Sequence, residues 1–311
     1  MADEDHTASL MTPAKLALAQ ARPKPISTPA AWLDQMASDA GHTQVDRLAQ
    51  LAEQLKVQHA SRDIAPLAAH LGRLGEALPR LDFSLLQGRG WWARTTGKTR
   101  SAGAEFARQF EQIDEVAQGL DERAQAPKNG PEAQGATGEL TLVETAVEFH
   151  AIDKIIDQGA RWLQDMRNQL KERQAAAADL QARQAIDDDT ARCEILVARL
   201  KVLRAVSAAA AQVHEQSLAT AGRRAALAQL LRQALAASLK AWRAQQSSLA
   251  AAASEGGSSS LKLDEPMESH RELQLCLKQA IAGCAQLQSQ ETALQESLAA
   301  LCMQVDSARS R

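Results

Sequence analysis

The stretch TTGKT at 95–99 contains residue types that bind a nucleotide phosphate. A phosphate-binding loop requires G-x-x-x-x-G-K-S/T, because its backbone N–H groups must wrap the phosphates without obstruction by side chains. Five residues before Gly97 the sequence has Trp92 instead of glycine, and no apolar strand precedes the stretch. The sequence therefore predicts that this stretch does not bind a nucleotide.

The histidines and paired carboxylates lack the spacing of a metal or catalytic site. Glu144 and Glu148 are four residues apart, as are Asp153 and Asp157, but no Glu-x-x-His on a facing segment completes a carboxylate site. No serine, cysteine or lysine nucleophile has a recognisable base near it. We therefore expect a protein that is not an enzyme and has no cofactor or metal. Histidines without an H-E-x-x-H partner are His59, His70, His150 and His214.

The 4 cysteines form neither a C-x-x-C pair nor a zinc-finger spacing with histidine. We interpret them as reduced thiols in the core of a cytosolic protein. They are Cys193, Cys276, Cys284 and Cys302.

Basic residues and tryptophans cluster between residues 88 and 108, where only Glu105 is acidic. Tryptophan beside arginine and lysine is typical of a contact with a membrane interface or with an acidic partner. The alternative is that both tryptophans pack into the end of a helical bundle and the charges are solvated. The candidate docking patch consists of Arg89, Trp91, Trp92, Arg94, Lys98 and Arg100.

The composition indicates a helical protein. Hydrophobic residues make up 45% but aromatic residues only 3%, so alanine and leucine provide most of the apolar content, and both favour helices. The net charge of -3 gives no general attraction to nucleic acid. The acidic start MADEDHTASLM is unlike a secretory signal, and no apolar run is long enough to span a membrane. We expect a cytoplasmic protein with at most a peripheral contact at the inner membrane.

Two stretches have apolar residues at alternating steps of three and four, the a/d spacing of coiled coils. The second stretch contains one charged residue at this spacing, Glu291. The spacing predicts an elongated all-α bundle of long antiparallel coiled-coil-like helices. Seam 1 consists of Leu142, Thr145, Phe149, Ile152, Ile156, Gly159, Leu163, Met166 and Leu170, and seam 2 of Leu273, Leu277, Ala280, Cys284, Leu287, Glu291, Leu294, Leu298, Leu301 and Val305.

Shorter stripes predict the remaining helices. A helix is expected to begin near Pro29, and another carries Val45, Leu48 and Leu51. The other stripe residues are Ala52 and Leu55; Leu67, Leu71, Leu74 and Leu78; Phe106, Phe110, Ile113 and Val116; and Cys193, Leu196, Leu200, Leu203, Leu227, Leu231, Leu235 and Trp242.

Proline, glycine and polar stretches predict the boundaries between these parts. Asp187–Thr190 offers turn and N-cap chemistry, which places the bend of a helical hairpin there. The expected organisation is a flexible arm at 1–28, a small helical region with the basic Trp loop at 29–125, a linker at 125–138, an antiparallel hairpin at 139–250, a Gly/Ser hinge at 251–266 and a C-terminal helix at 267–308.

The order of these segments resembles the toxic-anion (tellurite) resistance family of bacterial helical proteins. The similar stretches are SRDIAPLAAHLGRLGEALPRLDFSLL (61–86), Gly90–Trp92 through Lys98 with FARQFEQIDEVAQGLD (106–121), Leu203–Gln212, and SLKAWRAQ (238–245). In the last, Trp242 and Arg243 match a Trp-Lys pair, although position 241 is alanine and no proline precedes it. Together they cover residues 45–250 of a divergent member whose C-terminal coil is shortened.

The resemblance implies resistance to tellurite and to stress on the cell envelope, with no catalytic residue to carry over. Our first hypothesis is a non-enzymatic scaffold that acts through protein partners near the cytoplasmic membrane face. The partner can also be a second copy of the same chain. The second is a peripheral membrane-remodelling coat of helical hairpins. The third is an enzyme or a direct binder of metal or oxyanion.

Overall fold

The computed structural model describes residues 40–60, 64–87, 98–125, 131–254 and 261–310. All regular structure in these ranges is helical, which confirms the predicted all-α class. None of the described helices is long and apolar enough to span a bilayer. The α-helices are α1 (His42–Ala60), α2 (Ala65–Ala77), α3 (Lys98–Gln125), α4 (Pro131–Ala176), α5 (Leu180–Gln229), α6 (Ala236–Ser254) and α7 (Asp264–Arg309), with 3-10 turns at Leu78–Arg80 and Phe83–Leu85 and a π-helical stretch at Leu230–Leu235 between α5 and α6.

The two predicted seams form the buried sides of α4 and α7. All nine residues of seam 1 are buried, as are all of seam 2 except Glu291, which is partly buried. Burial of a leucine or isoleucine side chain stabilises a fold by roughly 1.5–3 kcal/mol. The three–four spacing therefore predicts correctly both the helices and the sides on which they pack.

The described residues divide into two compact units. Unit 1 comprises residues 152–204 and, among the described residues before them, 40–42. Within it α4 and α5 run antiparallel, because Gly159 lies against Leu200 while Arg173 contacts Asp189 at the other end. Gly159 allows this close packing, since a Cβ there would lie 2.9 Å from Leu200 Cδ1.

Unit 2 contains the other described residues, 43–151 and 205–310. Here α5 and α6 run antiparallel to α7: Gln212 contacts Ser297, and Gln246 contacts Pro266. Helix α3 packs closely against α6, since a Cβ on Gly103 would lie 2.3 Å from the Ala253 carbonyl oxygen. Helices α2, α3, α6 and α7 enclose a single core that includes Leu71, Phe106, Trp242 and Leu277.

The hairpin does not bend at Asp187–Thr190, as the sequence suggested, because these residues lie inside α5. The break is at 177–179, where Asp179 Oδ1 accepts a hydrogen bond of 2.7 Å from the Ala182 N–H and caps α5. Asp189 is buried and pairs with Arg173 and Arg192. A paired carboxylate is tolerated within a helix, so the acidic run does not end it.

Two predicted connections are shorter than the sequence indicated. The linker at 125–138 is wrong for 131–138, because α4 begins at Pro131, and proline suits the first helical position. The hinge at 251–266 is wrong at both ends: α6 continues to Ser254 through alanines, which favour helix, and α7 begins at Asp264. Outside the described residues lie the predicted arm at 1–28, the helix start near Pro29, the linker residues 126–130 and the hinge residues 255–260.

Candidate functional site

The docking patch lies largely outside the described residues. Arg89, Trp91, Trp92 and Arg94 belong to 88–97, which the structure does not describe. Lys98 and Arg100 are in the first turn of α3. The described residues on either side of 88–97 show where this segment is attached to the fold.

The chain segments on either side of 88–97 contact each other in unit 2. The Asp82 backbone N–H donates a hydrogen bond of 3.0 Å to Gln109 Oε1 of α3. The ring centroids of Phe83 and Phe106 are 5.6 Å apart, and Phe106 is fully buried. Asp82 also caps the turn at Phe83–Leu85, and hydrogen bonds from Ser84 lower the pKa of its carboxyl. The described segments before and after the patch thus meet in one contact on the core, made by Asp82, Phe83, Phe106 and Gln109, which we call the anchored base.

A buried histidine that the sequence analysis missed lies beside this base. His270 of α7 is 8% exposed, and its ring packs edge-on against Phe83 with centroids 5.2 Å apart. Trp242 Nε1–H donates a hydrogen bond of 3.1 Å to His270 Nδ1, and the Trp242 ring packs against Phe110. The His270 imidazole therefore contacts Phe83 and Trp242, and these two rings pack in turn against Phe106 and Phe110 of α3.

The hydrogen bonds fix the protonation of His270. Because Nδ1 accepts from Trp242, the neutral ring carries its proton on Nε2, which lies 2.9 Å from the Gln274 side-chain amide. That proton is accepted by the Gln274 amide oxygen once the amide group is turned over. Burial lowers the pKa of His270 from 6.5 to about 4. The imidazole is thus neutral at physiological pH and serves as a packing group.

Trp242 and Arg243, which the sequence analysis compared with a Trp-Lys pair, have structural contacts. Trp242 is fully buried, and Arg243 Nε pairs with Asp114 Oδ1 of α3 at 2.5 Å. Gln246, one turn further along α6, donates a hydrogen bond of 2.7 Å to the Pro266 carbonyl oxygen. These contacts join α6 to α3 and α7.

The charged member of seam 2 has a partner. Glu291 pairs with Arg224 of α5, and the Oε1 of Gln290, the preceding residue on α7, is buried without a hydrogen bond among the described residues. Buried Nε and Nη1 atoms of Arg224 and the Ser217 Oγ are also without one. A polar layer of this kind specifies helix register at a cost in stability.

The carboxylates and cysteines of the described residues have structural environments. Among the described residues no three histidine, cysteine or carboxylate side chains are grouped to hold a metal. Glu144 forms an ion pair with Arg47 of α1. All 4 cysteines are free, and burial raises the pKa of the thiols of Cys193, Cys276 and Cys284, which disfavours the nucleophilic thiolate. Cys302, in contrast, is only partly buried.

A short apolar stripe on α4 was also missed by the sequence analysis. Leu140, Val143 and Val147 are each about 60% exposed and lie at helical spacing on one side of the helix. These three residues are not at seam positions, so the three–four spacing of seam 1 already indicated that they do not face the core. Three side chains cover far less than the roughly 800 Å² per partner of a stable interface, so the stripe alone defines no binding site.

Comparison of the chain with protein-family models, with curated proteins and with solved structures finds no match.

Proposed function

We propose that this chain is a non-enzymatic helical scaffold in bacterial resistance to toxic anions such as tellurite and to envelope stress. It acts through protein partners near the cytoplasmic face of the membrane and binds them through the docking patch. The supporting observation is the anchored base: the Asp82–Gln109 hydrogen bond and the Phe83–Phe106 contact hold both ends of the segment on one core.

The anchored base favours binding for an energetic reason. A loop whose ends are held together loses less conformational freedom when it binds than a free chain does. Trp91 and Trp92 supply the large apolar contacts that dominate binding energy in many interfaces, and the surrounding arginines supply charge complementarity to an acidic surface. The patch therefore has the composition and the attachment of a docking element.

The assignment to toxic-anion resistance is supported by the resemblance at 45–250. The rest of the molecule suits a scaffold, because the apolar residues of both seams are used in helix–helix contact. In this proposal the helices hold the patch in place and carry out no reaction.

The test is complementation of a strain that lacks the gene, scored by growth in tellurite. The strain receives the wild-type chain, Trp91→Ala/Trp92→Ala, or Trp162→Ala as a matched control in which a partly buried tryptophan outside the patch is removed. Far-UV circular dichroism of each purified chain monitors folding.

We expect the wild type and Trp162→Ala to restore growth and the double variant, although folded, to fail. A deletion strain as tolerant as its parent would exclude a role in tellurite resistance. Full restoration by the double variant would exclude the docking patch as the functional surface.

A further inference from the structure

Unit 1 contains a groove between α4 and α5 with a basic lining. Three- and four-residue steps place its α4 residues on one side of the helix, and α5 adds a hydroxyl. No carboxylate lines the groove. Its polar residues are Gln164, Arg167, Asn168, Lys171, Gln174 and Thr190.

The two cations of the groove have no anionic partner among the described residues. In the same hairpin, Arg173 and Arg192 both pair with Asp189. Arg167 and Lys171 are exposed and take part in no described ion pair. The groove therefore offers two cations and three amide side chains to an anionic ligand.

The same chain contains a segment of complementary charge. Asp3, Glu4 and Asp5 are consecutive carboxylates, and between them and Lys15 there is no lysine or arginine. The chain enters unit 1 at Ala40, whose carbonyl oxygen accepts a hydrogen bond of 3.1 Å from Arg199 Nε of α5.

The carboxylates can reach the groove from this entry point. Thr190 precedes Arg199 by nine residues of α5, which is roughly 14 Å along the helix. The 34 residues from 6 to 39 can span up to about 115 Å when extended. Attachment within one molecule gives an effective concentration on the order of millimolar, so a dissociation constant of about one millimolar is enough for half occupancy.

We propose that Asp3, Glu4 and Asp5 of the same chain bind in this groove and pair with Arg167 and Lys171. Asp187 and Glu194 lie one turn from Thr190 on α5 and do not line the groove. Their negative charges repel the acidic segment from α5, so the segment pairs with the cations of α4. The segment then competes with any acidic partner for the groove. The groove and the docking patch share no residue, so either assignment can fail without the other.

The test is carbodiimide crosslinking of the full chain, which joins a carboxylate to a lysine amine only where the two are in contact. Equal amounts of ¹⁵N-labelled and unlabelled chain are mixed, and the crosslinked peptides are mapped by mass spectrometry. Lys154, an exposed lysine of α4 outside the groove, is the internal control. Arg167→Gln removes a groove charge while retaining every reacting group. Arg161→Gln removes an exposed charge outside the groove.

We expect crosslinks from Asp3–Asp5 to Lys171 in pairs of uniform isotope content. Their yield should fall about fivefold in Arg167→Gln, since one exposed ion pair is lost, and should not change in Arg161→Gln. The proposal is overturned if Lys171 is not crosslinked, if Lys154 is crosslinked equally, or if Arg167→Gln has no effect. Mixed isotope content in about half of the crosslinked pairs, the statistical share for contacts between copies in an equal mixture, would also overturn it, because it would show the segment of one copy bound to another.

Discussion

The buried imidazole of His270 makes the stability of the fold dependent on acid. Its pKa is about 4 in the folded chain and 6.5 for an ordinary histidine. Between these values the unfolded chain binds the proton and the folded chain does not, so the free energy of unfolding falls as the pH falls. This contribution is fully present above the unfolded pKa and is lost as the pH falls towards the folded one.

The difference between the two pKa values corresponds to about 3 kcal/mol in the free energy of unfolding. Most of the loss occurs before the carboxylates titrate: between about pH 7 and pH 5 the chain should lose roughly 2 kcal/mol. Protonation of Nδ1 would also remove the acceptor that Trp242 uses, so in the folded chain the Trp242–His270 hydrogen bond should persist through this range and break only as the pH approaches 4.

The assay is urea unfolding at a series of pH values in that range, followed by tryptophan fluorescence and far-UV circular dichroism. His270→Asn keeps an acceptor near the Nδ1 position but cannot titrate. We expect its unfolding free energy to change less with pH than that of the wild type by roughly 2 kcal/mol. His150→Asn, which removes an exposed imidazole, is the control and should retain the wild-type pH dependence. Parallel pH curves for His270→Asn and the wild type would refute the assignment of a neutral, buried His270.

Three further changes test the packing, each by urea unfolding. Gly103→Ala places a Cβ 2.3 Å from the Ala253 carbonyl oxygen and should lose about 1–3 kcal/mol, whereas Gly119→Ala on the same helix meets no atom within 4 Å and should gain up to about 1 kcal/mol; equal effects would contradict the close α3–α6 contact. Asp179→Ala removes the cap of α5 and should lose about 1 kcal/mol, and no change would argue against a helix start there. Glu291→Gln leaves Arg224 without its partner and should lose about 3 kcal/mol, while Arg224→Leu/Glu291→Leu should be at least as stable as the wild type; a double variant less stable than Glu291→Gln would show that the ion pair stabilises the contact between α5 and α7.

The helical architecture is readable from the sequence because seam residues recur at the spacing that places them on one side of a helix. The same spacing contains signals that the sequence analysis did not use. Steps of four and three extend seam 2 backwards from Leu273 to His270 and Pro266, and both are buried. His270 was missed because its side chain is polar, although its position in the repeat is that of a core residue.

The hairpin bend was misplaced because two acidic sites offer similar N-cap chemistry. Ile186, Asp189 and Cys193 continue the buried three–four spacing of α5, so the helix must already be formed before residue 187. What selects Asp179 over the later run is the burial of Asp189 against Arg173, a contact between residues on different helices. Pairings of this kind depend on the folded arrangement and cannot be derived from local propensity.

The docking role of the basic Trp segment is tested most directly by photo-crosslinking in living cells. A benzoyl-phenylalanine replaces Trp91 in one strain and Trp162 in another, and the products are separated by mass. The account predicts a defined protein adduct at position 91 that is absent at position 162 and is lost when Arg89→Gln/Arg94→Gln is added. Crosslinking at position 91 only within the same chain would contradict it, because Trp91 would then be a packing residue and not a docking residue.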